Sequence, residues 1–413
     1  MGVGLVLLVL VLAIFFSVCF LVFAGVIYFE ISNSQIPPGV ANPGKLRIIH
    51  GIMIGIAVVG KILQNFGICN QIGFTRYVRE KLLNPNLGED PKLFIKDLKF
   101  DGIPVRLYQP KTPCAGGRKG FLFFHGGGWM FGSIESYDCL CRYIAKESEL
   151  VLVSVGYRLT PEHRYPAAYE DCLNAAIHFL RTAEEYGVDS SSIIIGGDSA
   201  GGNLTAAVCQ TLVHRKDLLK PLAQVLIYPA VQMLDLNLPS YQQNCAVPVL
   251  YRERAAFYML NYIGNDVSVM EDVLDGDHVP VDKKLQYRKW LSADNIPDEF
   301  KARGYKPQIM SSHDDEVYEV VKSVFDTACS PLLADDSIVC LLPKTYILTC
   351  EFDVLRDDGL LYKKRLEDNG VSVTWYHVKD GFHGIVSFFD NGRLTFASGK
   401  QAVDNIVSFI REA

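Results

Sequence analysis

The sequence predicts an α/β fold, in which helices cover both faces of a mostly parallel sheet. From Leu93 onward, short apolar runs alternate with amphipathic stretches, the pattern of parallel strands connected by helices. The strand-like runs are LFIKDLKF, VRLYQP, GFLFFH, LVLVSVGYRL, SSIIIGGD, AQVLIYP, TYILTC and VSVTWYHV. With 413 residues, 49% of them hydrophobic and 21% charged, the chain is large enough to bury one extensive core.

One long segment interrupts this alternation. Residues 231–339 are rich in proline, aspartate and aromatic residues and show no clear strand pattern. A segment of this length is too long for a simple loop, so we expect a cap subdomain inserted between two strands of a domain spanning 93–413. The ligand crevice of an open α/β sheet lies at the carboxyl ends of its strands, where such an insertion would cover it.

The N-terminal segment, residues 1–30, is apolar enough to cross a membrane. No charged residue precedes Glu30, and at about 1.5 Å per residue the segment exceeds a hydrocarbon core of about 30 Å. A cleaved signal peptide would show a basic start, a shorter apolar run and a small-residue exit, and the sequence has none of these. It therefore predicts a retained transmembrane helix.

Residues 31–92 are expected to form a helical, membrane-proximal lid segment. Its apolar run, Ile48–Gly60, is too short to span a bilayer, which leaves an interfacial position or burial in the body open. Lys45 and Arg47 follow the predicted anchor and weakly favour a cytoplasmic body.

Charge and cysteine content exclude two classes of site. The net charge of -6 and the absence of a basic stripe argue against a nucleic-acid partner. The 11 cysteines form no C-x-x-C pair, and the separation of Cys139 and Cys141 by one residue is not a zinc-ligand spacing.

The stretch IIIGGDSAGGNL, residues 193–204, carries the first chemical signal. Gly197, Asp198, Ser199, Ala200 and Gly201 form a G-x-S-x-G motif between a predicted strand and a predicted helix. In that context the motif indicates a sharp turn that exposes a nucleophilic serine. A glycine-rich turn that binds phosphate is the alternative interpretation of the same residues.

A serine nucleophile needs a base and a carboxylate that orients the base. Asp353 follows the strand TYILTC and His383 follows the strand VSVTWYHV, so both lie at strand ends in the chain order Ser, Asp, His. The sequence therefore predicts a triad of Ser199, Asp353 and His383.

Nearby residues compete for the two supporting roles. Asp357 and Asp358 follow Asp353 closely, but they open a predicted helix, where carboxylates are favoured by the helix dipole alone. His377 lies inside a strand pattern, which favours a structural role for it. Asp353 and His383 remain the preferred residues.

The run FLFFHGGGWM contains three consecutive glycines, and a nucleophilic serine elsewhere in the chain would explain them. Attack on a carbonyl creates an oxyanion, which acyl-transfer enzymes stabilise with backbone N–H donors. We expect Gly126 and Gly127 to donate from this loop together with Ala200 after the nucleophile, and Gly128 to allow the bend. His125 is expected to anchor the loop.

The motifs together resemble a known family. HGGGW, GDSAGG, YRLTPEHRYPAAYED and the late Asp353 and His383 resemble the hormone-sensitive-lipase branch of the α/β-hydrolases. The apolar N-terminus and the stretches CEFDVLRDDGLLYKKRL and VTWYHVKDGFHG are similar to arylacetamide deacetylase and the arylacetamide deacetylase-like proteins. The resemblance covers nearly the whole chain.

The resemblance implies a serine carboxylesterase or deacetylase that needs no metal or cofactor and acts on small apolar esters, aryl amides or lipids. It also implies a type II protein of the endoplasmic reticulum membrane with a lumenal body. Arylacetamide deacetylase has a cysteine directly after HGGGW, bridged to one just before the acid; here Met130 takes the first place while Cys350 is retained. The sequon at Asn203 lies on a predicted buried helix, so we expect no glycan there.

Two further functions stay open. The chain could be a lipid-ester hydrolase acting at the bilayer, for which the anchor and the run Ile48–Gly60 would bring the site to its substrate. It could also be a catalytically silent protein that binds small molecules. The retention of Ser199, Asp353 and His383 favours chemistry.

Overall fold

The structure is a computed structural model that describes residues 36–81, 87–114, 116–264, 267–307 and 313–413, with isolated positions between 10 and 32. The predicted anchor, residues 1–30, therefore lies mostly outside the described residues. The chain divides into two compact units. The smaller unit comprises Met1–Pro38, Asn42–Pro85 and Ala246–Val249, and the larger unit comprises Gly39–Ala41, Asn86–Cys245 and Leu250–Ala413.

In the part of the chain that the structure describes, one eight-stranded sheet forms the centre of the larger unit. Its strands are β1 (Leu93–Phe100), β2 (Ile103–Pro110), β3 (Arg118–Phe124), β4 (Val151–Val155), β5 (Val188–Asp198), β6 (Ala223–Ile227), β7 (Lys344–Phe352) and β8 (Val373–Phe382). The spatial order is β1-β2-β4-β3-β5-β6-β7-β8. The first two strands pair antiparallel, and all pairs from β4 to β8 are parallel. The predicted α/β fold is confirmed.

The central strands are buried along their whole length because helices cover both sides of the sheet. All five residues of β4 and of β6 are buried, as is typical of parallel strands inside an α/β domain. The helices of the larger unit that precede the insertion are α3 (Asp138–Ser148), α4 (Ala167–Thr182) and α5 (Ala200–Leu212), and those that follow it are α12 (Arg356–Asp368) and α13 (Ala397–Glu412).

Between β6 and β7 the described residues form helices and no strand. These are α6 (Pro239–Gln243), α7 (Arg252–Ile263), α8 (Met270–Asp275), α9 (Val281–Leu291), α10 (Asp315–Val321) and α11 (Asp336–Val339). The segment between β6 and β7 follows β6 directly, at the carboxyl end of a parallel strand.

Short 3-10 helices lie both inside and outside this segment, at Ala183–Tyr186, Val267–Val269, Ala293–Asn295, Asp298–Lys301, Lys322–Phe325, Pro331–Leu333, Ile385–Phe388 and Gly392–Leu394.

The smaller unit contains α1 (Pro43–Asn65) and α2 (Gln71–Lys81). The apolar run that the sequence marked as too short to span extends into a helix of 23 residues with a mean hydropathy of 1.9 in its most apolar window. By length and composition α1 is sufficient to cross a membrane. The helix is longer than the apolar run Ile48–Gly60 because it continues through polar residues at both of its ends.

Candidate active site

Four residues singled out from the sequence occupy equivalent positions in the sheet. His125 follows β3, Ser199 follows β5, Asp353 follows β7 and His383 follows β8, each directly after the last residue of its strand. The register aligns these ends, since Phe124 pairs with Gly197 and Phe352 pairs with Phe382. Because parallel strands end at one edge of the sheet, residues far apart in sequence meet there.

Ser199, His383 and Asp353 form a continuous hydrogen-bonded row. The Oγ of Ser199 lies 2.9 Å from Nε2 of His383, and Nδ1 of the same ring lies 2.8 Å from Oδ2 of Asp353. The other carboxylate oxygen accepts the N–H of Leu355 at 2.9 Å. Asp353 is fully buried, while Ser199 and His383 keep 8% and 7% of their surface exposed.

The turn at Ser199 is strained and tightly packed. Ser199 has φ 56° and ψ -118°, a conformation that non-glycine residues rarely adopt. Its N–H donates to the carbonyl oxygen of Ile227 at 2.8 Å, which fixes the turn to the next strand. A side chain at Gly201 would collide with the carbonyl oxygen of Phe124, so the motif needs glycine there for α5 to approach β3.

The glycine loop follows β3 directly, but one predicted donor is already engaged. The N–H of Gly126 donates to Oδ1 of Asp198 at 2.7 Å, so the expectation that it faces an oxyanion was wrong. Among the described residues, the N–H groups of Gly127 and Gly128 donate to no acceptor. Gly127 has φ +121°, and a Cβ there would meet the carbonyl of Phe131.

Asp198 holds this loop against the nucleophile turn. Besides Gly126, its carboxylate accepts hydrogen bonds from the hydroxyls of Tyr137 at 2.9 Å and Tyr228 at 3.3 Å. The ring of Tyr228 lies 4.8 Å from the ring of His383, so the same network reaches that histidine. Burial raises the pKa of Asp198 to about 6, and the hydrogen bonds lower it in part.

The loop that carries Asp353 is tied to the first helix of the insertion. Asn244 donates its side-chain N–H to the carbonyl oxygen of Asp353 at 2.9 Å, and the hydroxyl of Ser240 donates to that of Val354. These bonds fix the backbone at Asp353 and at the residue after it. The orientation of Asp353 therefore depends on residues more than a hundred positions earlier in the chain.

The competing carboxylates have other partners. Asp357 and Asp358 lie in the first turn of α12, as expected. Asp357 accepts the N–H of Ser240 at 2.6 Å, and Asp358 accepts the N–H of Val231 at 3.0 Å. Burial raises the pKa of both groups. Both join the start of the insertion to the helix after the acid loop.

His377 and His125 also have structural contacts. His377 lies within β8, with Nδ1 2.9 Å from Oγ1 of Thr349 and Nε2 3.3 Å from Glu351. Nδ1 of His125 lies 2.9 Å from the carbonyl oxygen of Gly126, and its ring stacks on Tyr157 at 4.3 Å.

Two sequence details concern the covalent state of the chain. Met130 is buried directly after the HGGGW loop, and Cys350 is a buried free thiol at the end of β7. The side chain of Asn203 is also fully buried, and its N–H groups donate to the carbonyls of Ala230 and Cys329 at 2.8 Å each. A glycan cannot be attached to Asn203 in this fold.

The sequence did not predict that Asp198 links the glycine loop to the turn at Ser199. It also gave no indication that Tyr137, Tyr228, Ser240 and Asn244 contribute to the site. Asp198 carried a usable signal because it precedes the nucleophile within the motif. The two tyrosines and the two polar residues of the insertion lie outside any motif. Only the fold brings them to the site.

Residues 121–276 and 294–387 match the protein family described as having an alpha/beta hydrolase fold. Among solved structures, the esterase of the archaeon Pyrobaculum calidifontis is 26% identical, with a TM-score of 0.61 over 86% of this chain and 97% of that one. A thermostable carboxylesterase cloned from a metagenomic library is 28% identical, with a TM-score of 0.61 over 83% and 97% of the two chains. The protein is thus an α/β-hydrolase of the carboxylic-ester hydrolase class.

Curated relatives extend over most of the chain. Human arylacetamide deacetylase-like 4 is 44% identical over 411 residues and covers 100% of both chains. Bovine arylacetamide deacetylase is 35% identical over 94% of this chain and 96% of its own, and rat neutral cholesterol ester hydrolase 1 is 36% identical over 86% and 88%. The chain belongs to the arylacetamide deacetylase family.

The buried Asp198 gives a pH-dependent prediction for stability. Its pKa in the folded protein, about 6, lies above the ordinary 3.8, so folding favours the protonated form. The free energy that burial of the ionised carboxylate costs the folded protein is absent below about pH 4 and increases between about pH 4 and 6. Above about pH 6 it grows further with pH only until the folded-state carboxyl is fully ionised, and then stays constant. We expect the free energy of unfolding, relative to that of Asp198→Asn, to fall by up to about 3 kcal/mol across this window.

Urea denaturation of both proteins at a series of pH values measures this difference. The asparagine variant is a suitable reference, because its carbonyl can accept the Gly126 N–H while the two tyrosine hydroxyls accept from its amide. A difference that does not vary with pH in this window would show that Asp198 does not titrate there.

Proposed function

We propose that this protein is a membrane-anchored serine esterase or deacetylase that cleaves acyl esters or aryl amides through an acyl-enzyme on Ser199. The hydrogen-bonded row from Ser199 Oγ through His383 to Asp353, at 2.9 and 2.8 Å, carries the proposal. A nucleophile, a base and an orienting carboxylate within direct contact are what acyl transfer requires.

In the first step His383 accepts the proton of the Ser199 hydroxyl as Oγ attacks the carbonyl carbon of the substrate. A carboxylate only accepts hydrogen bonds, so Asp353 holds the proton of His383 on Nδ1 and leaves Nε2 free to act as the base. The imidazolium then gives its proton to the leaving alcohol or amine. Complete burial of Asp353 strengthens its interaction with the positive ring.

Backbone N–H groups stabilise the oxyanion. Ala200 begins α5, so its N–H has no acceptor within the helix. Gly127 and Gly128 supply the donors on the other side, in place of the engaged Gly126. Such a donor contributes on the order of 3 kcal/mol to the stability of the transition state.

A water molecule completes the cycle. It attacks the acyl carbon of the Ser199 ester, and His383 takes its proton before returning it to the serine. The released products are a carboxylic acid and the free enzyme.

The surroundings of the glycine loop favour an apolar substrate. Tyr258 of α7 packs against Gly128, and its ring lies 6.0 Å from the ring of Phe131. Trp129 stacks on Tyr262 at 4.4 Å. Substrates named for two relatives, arylacetamides and cholesterol esters, are apolar acyl compounds, which agrees with this aromatic setting.

We place the protein at the endoplasmic reticulum membrane as a type II protein with a lumenal body, anchored by residues 1–30. The absence of charge before Glu30 supports the anchor, and the resemblance to arylacetamide deacetylase supports the compartment.

The nucleophile is tested by Ser199→Ala. Loss of Oγ removes the covalent route, so we expect kcat for short acyl esters to fall by a factor on the order of 10⁶ and labelling by a fluorophosphonate to disappear. The exposed Ser408→Ala is the matched control, since its hydroxyl bonds only within its own helix. Ester turnover that persists in Ser199→Ala would refute the assignment, and unlabelled wild-type protein would favour a silent binding protein.

The choice of acid is tested by comparing Asp353→Asn with Asp357→Asn. In Asp353→Asn the side-chain amide can donate to Nδ1 of His383, which favours the tautomer that carries its proton on Nε2 and cannot act as the base there. We therefore expect kcat to fall about 10⁴-fold with KM little changed. Asp357→Asn weakens contacts with Arg356 and Ser240 and should lower stability while keeping most of kcat. Equal losses of kcat in the two variants would contradict the assignment of Asp353.

The second candidate function, hydrolysis of lipid esters at the bilayer, is favoured by the likeness to neutral cholesterol ester hydrolase 1. Rates on soluble short-chain esters, aryl amides and sterol esters in vesicles separate the two candidates. We expect the soluble apolar esters and amides to react fastest. Faster turnover of the vesicle-bound sterol ester would assign the lipid function instead.

A further inference from the structure

We propose that the smaller unit carries its own lipid-binding surface, formed by one face of α1 and by the turn between α1 and α2, that lies in the headgroup region of an anionic bilayer. This surface goes beyond the proposed catalytic function. It adds a second membrane contact to the proposed anchor, and enzymatic activity plays no part in its test.

Large apolar side chains are exposed along one face of α1 and in the turn that follows. Ile48, Ile52 and Ile62 fall within about 80° of one another around the helix axis at 3.6 residues per turn. Phe66 and Ile68 in the turn are 66% and 67% exposed. Large apolar side chains grouped and exposed in this way mark an interaction site.

Side-chain hydrogen bonds hold the turn between α1 and α2 in place. The side-chain oxygen of Asn70 accepts the N–H groups of Ile72 and Gly73 and so caps α2. Gln71 bonds back to α1 twice, through its N–H to the side chain of Gln64 at 2.9 Å and through its side chain to the carbonyl of Ala57 at 3.0 Å. Phe66 and Ile68 are therefore presented in a fixed position.

The charged residues in this part of the sequence indicate anionic lipid as the partner of this surface. Between Ile31 and Arg79 the sequence contains no aspartate or glutamate, although the whole chain has a net charge of -6. The charged side chains in this stretch are Lys45, Arg47, Lys61, Arg76 and Arg79. An apolar face in a stretch whose charged residues are all cations matches anionic lipid.

The face also borders the apolar N-terminal segment. At Gly55 a Cβ would meet the side chains of Phe23 and Ile27 at 3.1 and 3.3 Å. An apolar cleft of about 580 Å³ runs beside this contact, lined by Phe23, Ile27, Ile48, Ile52, Ile56 and Phe74 among others. Since the segment before Glu30 is the proposed anchor, the face beside it shares its lipid environment.

The spacing of the cations favours a helix lying in the interface over one that crosses. Lys45 and Lys61 are separated by about 24 Å along the helix at 1.5 Å per residue, less than a hydrocarbon core of about 30 Å. A crossing helix would hold at least one of them within the core, which is costly. A helix in the headgroup region lets both extend to water.

Tryptophan fluorescence in proteoliposomes tests the proposal on the full-length protein. Phe66→Trp and Ile52→Trp place reporters on the surface, and Phe94→Trp in β1 is a control at a residue that is 52% exposed in the larger unit. Vesicles contain phosphatidylcholine and phosphatidylserine with brominated phosphatidylcholine. The bromines lie either near the headgroup or near the chain end, and the wild-type signal from the three native tryptophans is subtracted.

We expect both reporters to lose more signal with bromine near the headgroup than near the chain end, and the loss to decrease without phosphatidylserine. The control should lose none. Deeper quenching of Ile52→Trp by bromine near the chain end would show a spanning helix and overturn the proposal. Quenching no greater than in the control would overturn it as well. Fluorophosphonate labelling in the same vesicles reports the catalytic site separately, so failure of either proposal is seen independently.

Discussion

The site depends on one buried carboxylate that serves as an acceptor for two loops. Asp198 accepts hydrogen bonds from the N–H of the first loop glycine and from the hydroxyls of two tyrosines, and one tyrosine packs on His383. Burying this charge destabilises the fold, as its raised pKa records. The hydrogen bonds that offset this cost also fix the glycine loop beside Ser199. The buried carboxylate therefore lowers the stability of the fold and at the same time orders the loop.

A second constraint comes from the glycines that bring backbone against backbone. At Gly201 a side chain would overlap the carbonyl oxygen of Phe124, and at Gly126 one would overlap Asp198. The helix α5 can therefore begin directly beside the end of β3. This close approach brings the helix N-terminus, the loop N–H groups and Ser199 into one small volume.

The fold was predictable, and so was the arrangement of the proposed triad, because each depends on local pattern. Strand runs have a recognisable composition, and Ser199, Asp353 and His383 each follow one directly, so the chain order alone places them at one edge of the sheet. The engagement of Gly126 was not predictable. It depends on the direction of the Asp198 side chain, which is set by Tyr137 and Tyr228 from distant segments. Similarly, no motif links Asn244 and Ser240 to the acid loop, because their contacts arise from how the insertion folds back.

The distribution of charge along the chain bears on the proposed lipid-binding surface. The stretch from Ile31 to Arg79 is purely cationic, so the rest of the chain is more acidic than the overall -6 indicates. Near an anionic leaflet the first part is attracted and the second repelled, and both effects act within about one Debye length, roughly 10 Å. An apolar anchor alone fixes only the distance of its attached residues from the bilayer. The proposed cationic apolar face would add a second contact between the smaller unit and the lipid.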